Sequence, residues 1–421
     1  MQTNKEQSFL DLLNHELVTA LGCTEPIAIA FASAKAREVL GAFPDRVEIY
    51  VSNNIVKNVK SVTVPCTNGM KGIDVACVLG IVGGNADLSL EVLTKVTDDD
   101  VAKTKELIKN DFCKIYPLKG KANLHIIVKV FAGDDSAEVE LKDKHDNIVK
   151  IVKNGEILLA TNSEESEEDC FDFSLEDVYE FVTDVELSKV ESLLVKQMTY
   201  NMAIAEEGMR HDYGQMIGKT LLAHYPNDVN LKARAMAAAG SDARMNGCAM
   251  PVVINSGSGN QGITLCVPIC VFSKEYNKDK ESTLRALLLS NLISIYIKKG
   301  IGKLSAFCGA VSASTGVAAG LTYLMGGTFA QVEKAITNTV ANVSGIVCDG
   351  AKSSCAAKIS SSIDAGIMAY YMAMSDNAFN GGDGIIDNDI EGTIENVSRL
   401  GKDGMKETDD EIISIMLNNK R

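Results

Sequence analysis

Apolar residues recur at helical spacing from 8 to 21 (Phe9, Leu10, Leu12, Leu13, Leu17, Val18, Leu21), and the run stops at Gly22. Cys23-Thr24-Glu25-Pro26 follows, with Pro26 suited to the first turn of a second helix reaching 40 and Thr24 suited to cap it. From 46 the period switches to two. Residues 47–51 alternate as a strand, and 59–64 reads the same way. Helices are predicted over 73–82 and 98–109. Short alternating segments at 123–131, 137–141, 148–152 and 156–161, separated by Gly, Asp and Asn, then predict an antiparallel meander. The acidic run 164–169 reads as a solvated loop and a boundary. Beyond 174 the strand signal nearly vanishes. Helical periods cover 175–184, 186–207, 212–224, 229–246, 278–299, 308–325, 329–342 and 353–374, and the polar tail 385–421 is helical in part.

The pattern predicts an α+β protein with two parts. Residues 1–170 form a mixed α/β domain containing the meander, with the helices of 8–40 packing on the second part. Residues 171–421 form a nearly all-α domain rich in Ala, Gly and Ser. A chain of 421 residues accommodates two such units. Its net charge of −15 argues against nucleic acid and anionic membrane as partners, and leaves a small substrate open. The stretches 245–273 and 304–332 carry no charged residue, but they are full of Gly, Ser, Thr and Asn. They read as buried central helices rather than membrane spans. The polar N-terminus carries no signal-like apolar run. A cytoplasmic protein is expected, and small-residue helices of this kind suit a homo-oligomer.

Eleven cysteines without a CxxC pair make disulfides the wrong reading in such a chain and leave metal, catalysis or plain burial. Cys348 and Cys355 lie in Gly345-Ile-Val-Cys348-Asp349-Gly350-Ala351-Lys352-Ser-Ser-Cys355-Ala-Ala-Lys358, where a turn gives way to a helix. Cys308, in Ser305-Ala-Phe-Cys308-Gly309, opens another helix. Helix starts favour the thiolate, because free N–H groups and the helix dipole stabilise it. Three such thiols suit three irons of a cubane with the fourth iron open. On spacing alone, three inert thiols in Ala-rich helices is the stronger reading. The loop Asn255-Ser256-Gly257-Ser258-Gly259-Asn260-Gln261-Gly262 offers N–H groups at a helix start to a carboxylate or phosphate, without matching a nucleotide-binding P-loop. Gly22-Cys23-Thr24-Glu25-Pro26 reads either as a capping elbow or as a source of an acid, a base or a metal ligand. His211 sits in a polar break between helices. The other four histidines read as surface or incidental positions. No fingerprint of a zinc hydrolase, serine hydrolase or Rossmann enzyme is present, and no lysine setting points to pyridoxal phosphate.

Five motifs in order carry a resemblance: Gly22-Cys-Thr-Glu-Pro26, Asp242-Ala-Arg-Met245, Ser258-Gly-Asn-Gln-Gly262, Cys308-Gly309, and Cys348-Asp-Gly-Ala-Lys352 followed by Cys355-Ala-Ala-Lys358. Over residues 8–375 the chain resembles the L-cysteine desulfidase family. That family is related to the catalytic α domain of bacterial iron–sulfur L-serine dehydratases, whose own likeness here is confined to the helical half. The resemblance implies a pyridoxal-independent lyase with a [4Fe–4S] cluster and no nucleotide. It implies Cys308, Cys348 and Cys355 as cluster ligands, a small amino acid as substrate, and pyruvate, ammonia and sulfide as products. Cys23, Lys352 and His211 are the expected candidates for the base that removes the Cα proton. Thr24, Glu25, Ser256, Ser258, Gly259, Asn260 and Gln261 are the expected substrate contacts. Ser61-Val-Thr-Val-Pro65-Cys66-Thr67 departs from the glycine-richer loop of the family and bears on substrate preference. L-serine as substrate, and a non-catalytic redox-sensing module, are the alternatives.

Overall fold

The computed structural model describes residues 3–118, 124–161, 172–302 and 305–418. The acidic run 164–169, Asn123 at the start of the expected meander, and Cys170 lie outside the described residues. The architecture is α+β. One sheet takes its strands in the order Cys113–Pro117, Arg46–Val51, His125–Ala132, Asp135–Lys142, Ile148–Lys153, Glu156–Ala160. The first pair is parallel, with Val47 opposite Cys113, and the rest form the antiparallel meander. Alternation fixes its faces. Val47, Ile49, Val51, Ile126, Val128, Val130, Val139 and Leu141 are buried, and the helix Thr24–Leu40 packs on the middle strands.

Residues 59–64 do not form the expected strand. Asn53–Val59 is helical, and Thr63 makes a single antiparallel bridge to Lys71. Val59, Val62 and Val64 are all buried, but their three-then-two spacing suits a helix end running into extended chain. The first helix stops at Glu16, and Thr19–Leu21 instead pairs antiparallel with Pro251–Val253 from the helical half. The strand Cys113–Pro117 was not expected; its residues beyond Cys113 are exposed and show no alternation.

The helical half is layered around the helices Gly259–Glu275, uncharged up to Ser273, and Gly309–Leu324, uncharged throughout. Small residues let the backbones close up. A Cβ on Gly316 would lie 2.3 Å from the carbonyl oxygen of Ser290 in the neighbouring helix Lys280–Ile301. One apolar core runs from Phe9, stacked on Phe181, through both halves of the chain. No helix among the described residues is long and apolar enough to cross a membrane.

Candidate functional site

Three thiols, Cys308 and the neighbouring pair Cys348 and Cys355 some 40 residues on, meet at the end of this helical stack. Cys308 is the N-cap of Gly309–Leu324, and Cys355 is the first residue of Cys355–Met374. Cys348 lies in the loop before that second helix. An isolated antiparallel bridge, Phe307 to Val347, draws the loop in: Cys308 N–H donates to Ile346 O (2.8 Å) and Cys348 N–H to Ala306 O (2.6 Å). Gly350 then turns the chain in the left-handed region (φ 92°), and a Cβ there would lie 2.2 Å from the carbonyl of Lys57. Only glycine fits, so the thiol loop rests directly on the helix Asn53–Val59. Cys355 and Ala351 pack against a small apolar cluster of Cys23, Val62 and Met245. Cys23 thus belongs to the same site, beside the departing 61–67 loop.

Each of the three sulfurs has one backbone N–H aimed at it, from Ala310, Gly350 and Lys352 respectively. Cys308 and Cys348 form a hydrogen-bonded pair in which Cys348 is the acceptor. That bond comes first; burial opposes it, and the ammonium groups of Lys57 and Lys298 and the Gly350 N–H add to it, holding Cys348 down at about 5. Cys308 is pushed up as the donor of the pair, and burial pushes Cys355 up. Lys57 and Lys298 are 2% and 3% exposed. Lys57 pairs with Asp409 of the terminal helix Lys406–Asn418, whereas Lys298 has no carboxylate partner among the described residues and faces Cys348 and Cys308. Burial and these neighbours place Lys298 at about 8. A buried ammonium without a carboxylate is costly unless an anion sits beside it. This donor set fits a thiolate-held cluster. Three sulfurs, each with an N–H donor, share one pocket with buried cations. No three His, Cys, Asp or Glu side chains among the described residues converge on a single-ion position.

On the other flank stands Glu25, buried in the first turn of Thr24–Leu40. It accepts hydrogen bonds from the Cys23 thiol (3.1 Å), the Thr24 hydroxyl (3.2 Å) and Asn58 Nδ2 (2.9 Å). His145 Nε2 lies 4.0 Å from Glu25 Oε1. Burial opposes ionisation, but the nearby His145 ring, with the Cys23 bond, outweighs it and holds Glu25 at about 2. Burial, then the Glu25 charge, pushes the Cys23 thiol up. His145 was expected at the surface; it is 8% exposed, its Nε2 is buried without a hydrogen-bond partner among the described residues, and its ring lies against Gly257. The Thr24 hydroxyl donates to Gly257 O (2.9 Å), which ties this flank to the glycine-rich loop.

That loop is held in a strained shape. Ser256 has φ 49°, and Asn255 and Ser258 bridge each other across the turn. Behind it a buried amide network, Gln197–Asn291–Asn255, fixes the strand-to-helix exit, and Ser256 Oγ donates to Asn255 Oδ1 (3.0 Å). Ser258 caps Gly259–Glu275. Asn260 Oδ1, Gln261 Oε1 and Arg244 Nε are buried without hydrogen-bond partners among the described residues.

The structure therefore brings Cys23, Thr24, Glu25 and the loop 255–261 to the thiols, and separates two other expected residues by role. Lys352 donates to Asp349 O (2.8 Å) and Gly350 O (3.1 Å) and pairs with the Asp349 carboxylate, bracing the thiol loop. His211 ends the helix Glu191–Arg210 with its side chain 64% exposed, facing Glu207 at 3.8 Å. His145, Lys57, Lys298 and Arg244 were missed. Only Arg244 carried a signal, as part of the Asp242-Ala-Arg-Met245 motif. A cleft of about 180 Å³ lined by Asn338, Asn342, Met368 and Phe379 lies elsewhere and holds neither thiol nor titratable group.

The serine dehydratase alpha chain description matches residues 87–414, reaching well before the helical half to which that likeness was expected to be confined. Similar proteins span the full length. A UPF0597 protein of Lachnoclostridium phytofermentans is 50% identical over 98% of this chain and 100% of its own length. Those of Desulfitobacterium hafniense and Finegoldia magna are 48% and 46% identical, each over 98% of this chain and 97% and 99% of their own. With most of its length matched, the chain belongs to the serine dehydratase alpha-chain family.

Proposed function

We propose that the protein is a lyase that eliminates the β-substituent of L-cysteine, using a [4Fe–4S] cluster held by Cys308, Cys348 and Cys355. The observation that carries this is the convergence of three thiols from two separate segments, each with an N–H donor, beside two buried lysines. When bound, the cluster supplies a Lewis-acidic iron that eases departure of a poor leaving group. Lys57 and Lys298 balance the negative charge of the thiolates. The Cys23–Glu25–His145 cluster handles the proton leaving Cα: Glu25 stays ionised, holds Cys23 in place by its hydrogen bond and faces the His145 ring. The Cα–H and Cβ–S bonds break and a Cα=Cβ bond forms, giving sulfide and aminoacrylate. Aminoacrylate tautomerises and hydrolyses to pyruvate and ammonia. The loop 255–261, with its N–H groups at a helix start, holds the substrate.

L-serine is the second reading, favoured by the family match. Anaerobic, iron-reconstituted protein incubated with each amino acid decides between them. Pyruvate with sulfide from L-cysteine is expected, preferential release from L-serine moves the enzyme to the dehydratase reaction, and no release from either, with the cluster present, overturns the lyase. Replacing Glu25 by Gln or His145 by Ala is expected to lower kcat while iron content holds.

A further inference from the structure

Arg244 stands out among the buried charges. The last turn of Val229–Met245 delivers it into the site, 2% exposed, yet it has no ion pair and no hydrogen bond among the described residues. Its position is fixed by what it touches. A Cβ added to Gly259 would lie 2.3 Å from Nε and 2.7 Å from Cζ, so the guanidinium lies against the first turn of Gly259–Glu275. Its charge also reaches Cys23. The first N–H groups of any helix lack intrahelical acceptors. Beside that turn the side-chain oxygens of Asn260 and Gln261 are buried with nothing donating to them. Gln261 in turn lies against Gly309, the residue after Cys308: a Cβ there would be 2.5 Å from Gln261 Cδ.

One small region thus offers an unpaired guanidinium, open N–H donors and two orphaned acceptors. Each alone is an uncompensated burial. Together they match a zwitterion. We propose that Arg244 is the carboxylate anchor of an α-amino-acid site, with Asn260 Oδ1 and Gln261 Oε1 accepting from the ammonium group. The inference rests on the amino-acid lyase reading and gives it an orientation: the carboxylate lies toward Arg244 and Cys23, the ammonium toward Gln261 and Cys308. A guanidinium pairs with a carboxylate through two parallel hydrogen bonds, which a lysine cannot reproduce.

The test is equilibrium binding to the full-length, iron-reconstituted protein, followed calorimetrically. The probes are L-alanine, which has no leaving group, L-alaninamide, which lacks the carboxylate, and propionate, which lacks the ammonium. In the unmutated protein L-alanine is expected to bind at least ~10-fold more tightly than either of the others. Arg244→Gln is expected to weaken L-alanine by about 10- to 100-fold and to bring it level with L-alaninamide, and Arg244→Lys to recover only part of the loss. Iron content and the cluster's visible spectrum stay unchanged. Equal binding of L-alanine and L-alaninamide by the unmutated protein overturns the proposal and needs no variant to fold. So does L-alanine affinity that survives Arg244→Gln. If L-alanine binds through Arg244 but neither L-cysteine nor L-serine yields pyruvate, the anchor stands and the lyase falls. If pyruvate is released with the same KM in Arg244→Gln, the lyase stands and the anchor falls.

Discussion

Two of the thiol pairs in contact among the described residues are chemically unlike. Cys266 and Cys270 are one turn apart in Gly259–Glu275, with sulfurs 3.9 Å from each other, and both are buried. Cys308 and Cys348 are brought together by a bridge between distant segments. In the first pair the neighbouring sulfur and burial drive Cys266 up. In the second, Cys308 is driven up in the same way, but its acceptor Cys348 is drawn down to about 5, first by the sulfur contact and then by Lys57, the Gly350 N–H and Lys298. A third pair, Cys77 with Cys113, behaves like the first: the Cys77 contact and burial push Cys113 up. Proximity of sulfurs is therefore not the signal. Cations and N–H donors around them are.

The comparison breaks most sharply at the ligands. Cys348→Ser and Cys308→Ser are expected to lose iron and activity together, while Cys266→Ser keeps both. Iron assay of the three variants after identical reconstitution checks this, and full iron in Cys348→Ser would remove the distinction. Glu25→Gln comes next. Glu25 titrates at about 2 in the folded chain against 4.5 for the free side chain, so its ionised form stabilises the fold above pH 4.5. That contribution is lost as pH falls from 4.5 toward 2. At about 1.4 kcal/mol per unit of displacement, the variant is expected to lose roughly 3 kcal/mol at neutral pH and to show a flatter stability curve below pH 4.5. Denaturant melts across pH 3–7 read both.

Lys298→Met tests the electrostatics directly. Removing one of the two cations beside the buried Cys348 thiolate is expected to destabilise the iron-free protein by about 1–2 kcal/mol. The same change raises the Cys348 thiol, so its alkylation by iodoacetamide in iron-free protein shifts to higher pH. An unchanged alkylation profile would mean that Lys57 and the N–H groups alone hold that thiolate. The smallest effect belongs to the other pair. Cys270→Ala is expected to cost about 1 kcal/mol through lost packing and to leave iron content alone.

Much of this arrangement was legible from local pattern. The helices of the second half follow the 3.6-residue period, and Cys308 and Cys355 announce themselves as helix starts in small-residue sequence. What periodicity cannot carry is non-local burial. His145 lies in a polar stretch, Lys142-Asp-Lys-His-Asp-Asn, that reads as a surface turn, and it is covered only because Gly257 folds against it. Lys298 sits near a helix end beside Lys299, the usual place for solvated cations, but the thiol loop closes over it. Lys57 is buried because Gly350 and Asp409 reach it from the far end of the chain. The cysteine pattern could not rank its own pairs for the same reason, since Cys266 and Cys270 are the more conspicuous by spacing.

The Lys57–Asp409 ion pair joins residues 352 positions apart. At cellular synthesis rates of 5–20 residues per second, roughly 20 to 70 s separate the emergence of the two side chains from the ribosome. Cys23, Glu25 and Lys57 are made first, and the residues that cover them, from Val62 and His145 to Met245, Gly350 and finally Asp409, emerge one after another over that interval. The pocket is therefore a late product of translation. On the proposed reading, loading of the cluster follows release of the nearly finished chain, and the first half needs shelter from premature oxidation and aggregation until then.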